Sequence, residues 1–161
     1  MAELTGAHVK AVRDSWDVIC KDVRGNGVQL FLRYFGAFPE YLVLFKDLRG
    51  MSLEELKTSK HMRIHGSRVL HALTSMVDAL DELDVAAGIM SKTIDTHFDF
   101  NVQNIKKYED LFSVMPDFMK AQAGDKFTPL AQEGWTLVLN TLLAVGKERI
   151  AQIEKQKAAM A

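Results

Sequence analysis

An all-α fold is what this sequence predicts, on three observations. Apolar residues recur at steps of three and four in one stretch after another. Those stretches open on capping residues or on prolines placed where a first helical turn accepts them. No segment shows sustained alternation bounded by turn residues, the mark of a strand. Seven or eight helices are expected in a single domain over 1–161, because a chain of 161 residues can bury about 70% of its unfolded surface in one core.

The first helix begins after Thr5, a suitable N-cap, and carries Val9, Val12, Trp16, Ile19 and Cys20 on one face. Arg24-Gly-Asn-Gly27 reads as an interruption before a second apolar run of Val28, Leu30, Phe31, Leu32, Tyr34 and Phe35. Pro39 disfavours helical geometry at Phe38 and then opens a short helix of its own, reaching Phe45. Gly50 relaxes the backbone, and Ser52-Leu-Glu-Glu55 fits a capping box that must start another helix.

A long helical stretch follows, with Met62, His65, Val69, Leu73, Met76, Val77 and Leu80 on one stripe. Asp81-Glu-Leu-Asp84 marks a corner. Ala86, Met90, Ile94 and His97 then define a second helix with a histidine on its apolar face. Residues 98–102 read as its exit. Leu111, Phe112, Val114, Met115, Phe118 and Met119 form the next face, which Pro116 should kink or shorten. Residues 121–126 read as a loop. Thr128-Pro129 is an N-cap followed by a first-turn proline, and the last helix carries Leu130, Trp135, Val138, Leu142 and Ile150 before a solvated tail from Glu154.

Composition narrows the function classes. Hydrophobic content is 48%, charged content 25% and net charge −1, so no global field draws the chain to nucleic acid or to an anionic membrane. No apolar run approaches the length of a membrane span. A single cysteine, Cys20, and the absence of a basic start with an apolar signal core favour a cytoplasmic protein. Monomer and homodimer both remain open.

His65 and His97 carry the chemical argument. An imidazole on an apolar stripe is either a satisfied core group or a group that faces a ligand. Consecutive helices with a short connection pack as neighbours, so both imidazoles can face one gap. Zinc suits that gap poorly, since a closed site wants four ligands and the stripes offer two. Haem suits it better, because its ring supplies four nitrogens and asks the protein for one or two axial imidazoles.

In these residues the chain resembles the globins over nearly its whole length. Trp16 is similar to the tryptophan of the first globin helix. Phe38-Pro39 leads to Phe45, which resembles the phenylalanine packed on the haem face. His65-Gly66 with Val69 resembles the distal histidine, its glycine and the distal valine. His97 falls at the proximal histidine and Val102 at an apolar haem border. Gly27 and Gly66 match the close crossing of the second and fifth globin helices.

The resemblance implies haem b as cofactor, with His97 binding its iron and a neutral His65 donating a hydrogen bond to oxygen on the distal side. It makes Phe31, His65 and Val69 the ligand pocket, with Phe31 a bulkier ring than the leucine common there. It places Arg68 within reach of a haem propionate, a solvated arginine being the competing reading. Leu48 and Thr93 depart from the usual phenylalanine and leucine. The expected function is reversible binding of oxygen and other diatomic gases, for storage or transport. The alternative is a hexacoordinate haem protein, with His65 as sixth ligand, acting in redox or nitric oxide chemistry or in gas sensing. A dedicated enzyme is not expected: there is no added reductase domain and no polar pocket residue besides His65, which leaves only incidental peroxidase or dioxygenase activity. His61 reads as a surface group, His71 sits on another face and His8 lies near the terminus; the eight methionines read as core fillers.

Overall fold

The computed structural model describes residues 3–98 and 103–161. Eight α-helices occur among them: α1 (Gly6–Cys20), α2 (Val23–Ala37), α3 (Leu53–Leu56), α4 (Lys60–Asp78), α5 (Leu83–Phe98), α6 (Ile105–Ser113), α7 (Met115–Ala123) and α8 (Pro129–Met160). Short 3-10 segments cover Pro39–Leu44, Lys46–Leu48 and Gly124–Lys126, and no strand appears among the described residues.

Most starts lie where local chemistry places them. Thr5 accepts from the His8 amide, Ser52 and Glu55 form their capping box, and Thr128 accepts from the Ala131 amide ahead of Pro129. Gly50 takes φ +77°, where a side chain would be strained.

Four boundaries differ from the sequence expectation. Residues 24–27 do not interrupt α2. The break falls earlier, at Lys21 and Asp22, where the Asp22 carboxylate accepts from the Gly25 amide and caps the helix. The helix at Ser52, whose end the sequence left open, stops at Leu56, and Ser59 caps α4 separately by accepting from the Met62 amide. Pro116 neither kinks a helix nor merely trims one; it sits in the first turn of α7, where its missing N–H costs nothing, so α6 and α7 are separate. The loop expected at 121–126 is mostly helical, and the tail beyond Glu154 stays helical to Met160 with its side chains in solvent.

Two tryptophans join the ends of the chain. Trp16 and Trp135 lie 5.3 Å apart, and each satisfies its indole N–H, on Thr74 Oγ1 and Ser15 Oγ, both at 2.9 Å. This docks α1 on α8 and α4. The crossing of α2 on α4 is closer still. A methyl on Gly27 would lie 2.5 Å from the Gly66 carbonyl carbon, and one on Gly66 would lie 2.7 Å from its counterpart in Gly27. Backbone there rests on backbone, a contact open only to glycine. It brings Phe31 of α2 beside His65 of α4.

Candidate metal and ligand site

His97 lies in the last turn of α5. Its Nδ1 lies 2.8 Å from the Thr93 carbonyl oxygen. A carbonyl only accepts, so Nδ1 carries the proton and Nε2 keeps its lone pair. A ligating histidine characteristically donates its other N–H in this way, which fixes both tautomer and ring orientation. Thr93 departs from leucine in its side chain, yet the partner of His97 is its backbone, which any residue supplies. The threonine hydroxyl turns away and donates to the Ile89 carbonyl.

His65 is held differently. Its imidazole has no hydrogen bond among the described residues. It is instead flanked edge-to-face by Phe31 at 4.9 Å and Phe45 at 4.8 Å. Burial first, then the electrostatic influence of His97 and Arg68, hold its pKa down at about 4. The ring is therefore neutral at pH 7 and keeps one N–H to donate. His97 acts on it electrostatically, so the two imidazoles lie near one another.

The remaining expected residues distribute as follows. Phe31 is buried and Phe45 half-buried; Val69 is half-buried where the two apolar clusters meet. Arg68 is exposed, and its charge reaches His65. Leu48 is buried in the cluster around Phe31. Val102 lies outside the described residues. His61 stays at the surface, 3.6 Å from Asp47, and His71 is exposed. His8, near the terminus, is buried, with Nδ1 accepting from the Thr5 amide at 3.0 Å and Nε2 lying 3.2 Å from Glu133. It completes the capping box of α1, a role of histidine that composition does not reveal.

Tyr108 is a residue beside His97 that the sequence reading missed. Its ring meets His97 edge-to-face at 6.0 Å. Its hydroxyl is buried with no hydrogen-bond partner among the described residues, and burial pushes the phenol pKa up. The step from Tyr108 to Leu111, Phe112 and Met115 is helical, so the apolar face of α6 and α7 could have been extended back to include it.

These residues fit a flat, largely apolar group with a metal at its centre. Nε2 of His97 is free as a ligand, the walls are aromatic and aliphatic, and Tyr108 leaves a buried hydroxyl unsatisfied beside that ligand. A bare cation fits poorly, as no group of three histidine, cysteine or acidic residues converges among the described residues.

Helices that cross glycine on glycine and carry two nearby imidazoles define the class: an all-helical protein with a histidine on each of two consecutive helices. Comparison with known proteins makes it particular. The globin family model matches residues 28–145, and the chain belongs to the globin family. It is 26% identical over 142 residues to a globin of Nerita albicilla, covering 88% of this chain and 90% of that protein. It is 27% identical over 143 residues to cytoglobin-2 of Danio rerio, covering 86% and 78%. In fold it is similar to ferric Aplysia limacina myoglobin, with a TM-score of 0.81 at 22% identity over 91% of this chain and 99% of that one. Globins as a family bind haem. No described helix is long and apolar enough to cross a membrane.

Proposed function

We propose that the chain binds haem b between α4 and α5 and there binds oxygen reversibly, for storage or transport in the cytoplasm. The observation that carries this reading is the oriented imidazole of His97, whose Nδ1–H is committed to the Thr93 carbonyl and whose Nε2 is free. When bound, haem supplies a ferrous iron able to form a reversible bond with one diatomic gas. His97 holds the group from the α5 side. His65, neutral at pH 7, donates a hydrogen bond to oxygen across the gap, a bond worth roughly 1.5 to 3 kcal/mol if the oxygen carries charge. Carbon monoxide, nearly apolar, gains little from it.

Phe45 and Val69 restrict the space on the α4 side, and Phe31 narrows it further. The apolar lining excludes the water that promotes oxidation of iron. Arg68, exposed three residues from His65, has the fork of donors to meet a carboxylate at the rim.

The test is the visible spectrum of the reduced, oxygen-free protein loaded with haem. One broad visible band is expected. Two sharp bands would make His65 a sixth ligand and favour the redox or sensing alternative, and a colourless product would overturn haem binding.

A further inference from the structure

The two rings that flank His65 rest on unequal supports. Phe31 is 2% exposed, on a helix locked by the Gly27–Gly66 crossing. Phe45 is half-buried and follows the 3-10 segment Pro39–Leu44, in which no residue is buried. Phe45 packs edge-to-face on Phe31 and Phe35 as well as on His65, but the unburied segment that carries it needs an anchor of its own.

Among the described residues, one side-chain hydrogen bond leaves Pro39–Leu44 for another helix. The Tyr41 hydroxyl donates to Asp110 Oδ2 of α6 at 2.6 Å. Asp110 is 7% exposed and is held by Lys106 Nζ at 3.0 and 3.2 Å. The Tyr41 ring stacks on Tyr34 at 5.4 Å and 27°, and Tyr34 itself donates to the Lys107 carbonyl of α6 at 2.9 Å. Thus α2, the 3-10 segment and α6 meet in one knot of two tyrosines and a buried carboxylate. The bond to Asp110, ahead of burial, pushes the Tyr41 phenol up to about 12, so its hydroxyl keeps its proton and remains a donor. From Tyr41 the chain runs four residues to Phe45, whose amide donates to the Leu42 carbonyl and whose carbonyl accepts from the Leu48 amide.

We infer that Tyr41 and Asp110 are positioning residues for Phe45 and, through Phe45, for His65. Of the two rings that flank His65, Phe45 is the more exposed and Phe31 the buried one. A ligand entering past His65 therefore meets the side of the clamp that the Tyr41–Asp110 bond fastens. The bond makes the clamp close; its loss lets the ring of Phe45, and then His65, swing outward. The effect on ligand entry rests on the proposed haem site, whereas the effect on the clamp does not.

The test is Tyr41→Phe, which removes one hydroxyl and leaves Asp110 paired with Lys106. In the full chain without haem, amide exchange at Phe45 and Leu48 is expected to rise about tenfold, the opening expected when one charge-assisted hydrogen bond is lost. Amides in the middle of α8 should not change, and the His65 side-chain proton signals should shift as the flanking ring moves. In Asp110→Asn the phenol still finds a carbonyl oxygen, and exchange should fall between wild type and Tyr41→Phe. After haem loading, carbon monoxide association should be faster by roughly three- to tenfold in Tyr41→Phe, a change that a uniform loss of stability would not produce. Unchanged exchange at Phe45 with an unmoved His65 signal overturns the inference; so does a uniform rise across α8. Failure of the wild-type chain to take up haem overturns the proposed function instead, and the haem-free measurements still decide the role of Tyr41.

Discussion

The two walls of the gap hold their histidines by different physics. His97 is fixed by a directional bond, Nδ1–H to the Thr93 carbonyl, and backed by Tyr108. His65 has no such bond and is kept in place by the shapes of Phe31 and Phe45. A hydrogen bond to one ring nitrogen decides which nitrogen is free and where it points, as a permanent ligand requires. Ring-on-ring contact restrains an imidazole without committing either nitrogen, which suits a group that must donate to a guest and let it leave. Under the proposed function, the difference separates holding a metal from managing access to it.

The largest effect that would break this contrast is at the ligand. His97→Ala should weaken haem retention by more than about 100-fold, beyond the cost of losing an outer partner of a ligand, measured as haem transfer to a competing acceptor protein. His65→Ala should keep its haem. Equal losses in the two variants would mean that the walls are equivalent.

Acid should expose the lack of a partner at His65. Its folded pKa of about 4 lies below the 6.5 of an unperturbed imidazole. Between those values the unfolded chain binds more protons, so stability at this site is complete above pH 6.5 and falls as pH drops toward 4. The loss in haem-free protein should approach about 3 kcal/mol. Urea titrations across that range should show it, and His65→Phe should remove this part of the slope; a variant with the wild-type slope would assign it elsewhere.

Glycine substitutions sharpen the comparison at the level of the supporting helices. Gly66→Ala on α4 meets backbone 2.7 Å away and should cost about 3 kcal/mol through overpacking. On α5 a methyl at Gly88 meets nothing within 4 Å, so Gly88→Ala should stabilise by up to about 1 kcal/mol. Thermal melts of the two variants should move in opposite directions. Smallest is Tyr108→Phe, which removes a buried hydroxyl with no partner and should raise haem-free stability by about 1 kcal/mol; a fall in melting temperature would show that the hydroxyl is already satisfied.

Much of this architecture was legible along the chain. Helix periodicity, the caps at Thr5, Ser52 and Thr128, and the stripes of α4 and α5 are local properties, set by 3.6-residue geometry and by amides that need partners near their own helix end. The ordered spacing of Trp16, Phe45, His65 and His97 made the family readable too. Where local signals misled, a neighbour in space had intervened. Gly25 and Gly27 look like breakers, but Asp22 caps ahead of them, and Gly27 is small because Gly66 lies against it.

What the sequence by itself determined, then, is the set of helices, their buried stripes and the two histidines, because each depends on residues within a few turns. Only the tertiary structure decided which wall holds and which yields. The Tyr108 hydroxyl beside His97, the rings on either side of His65 and the bond of Tyr41 to Asp110, 69 residues apart, are encounters between distant segments. Their geometry follows from how whole helices pack, and spacing along one helix carries no record of it.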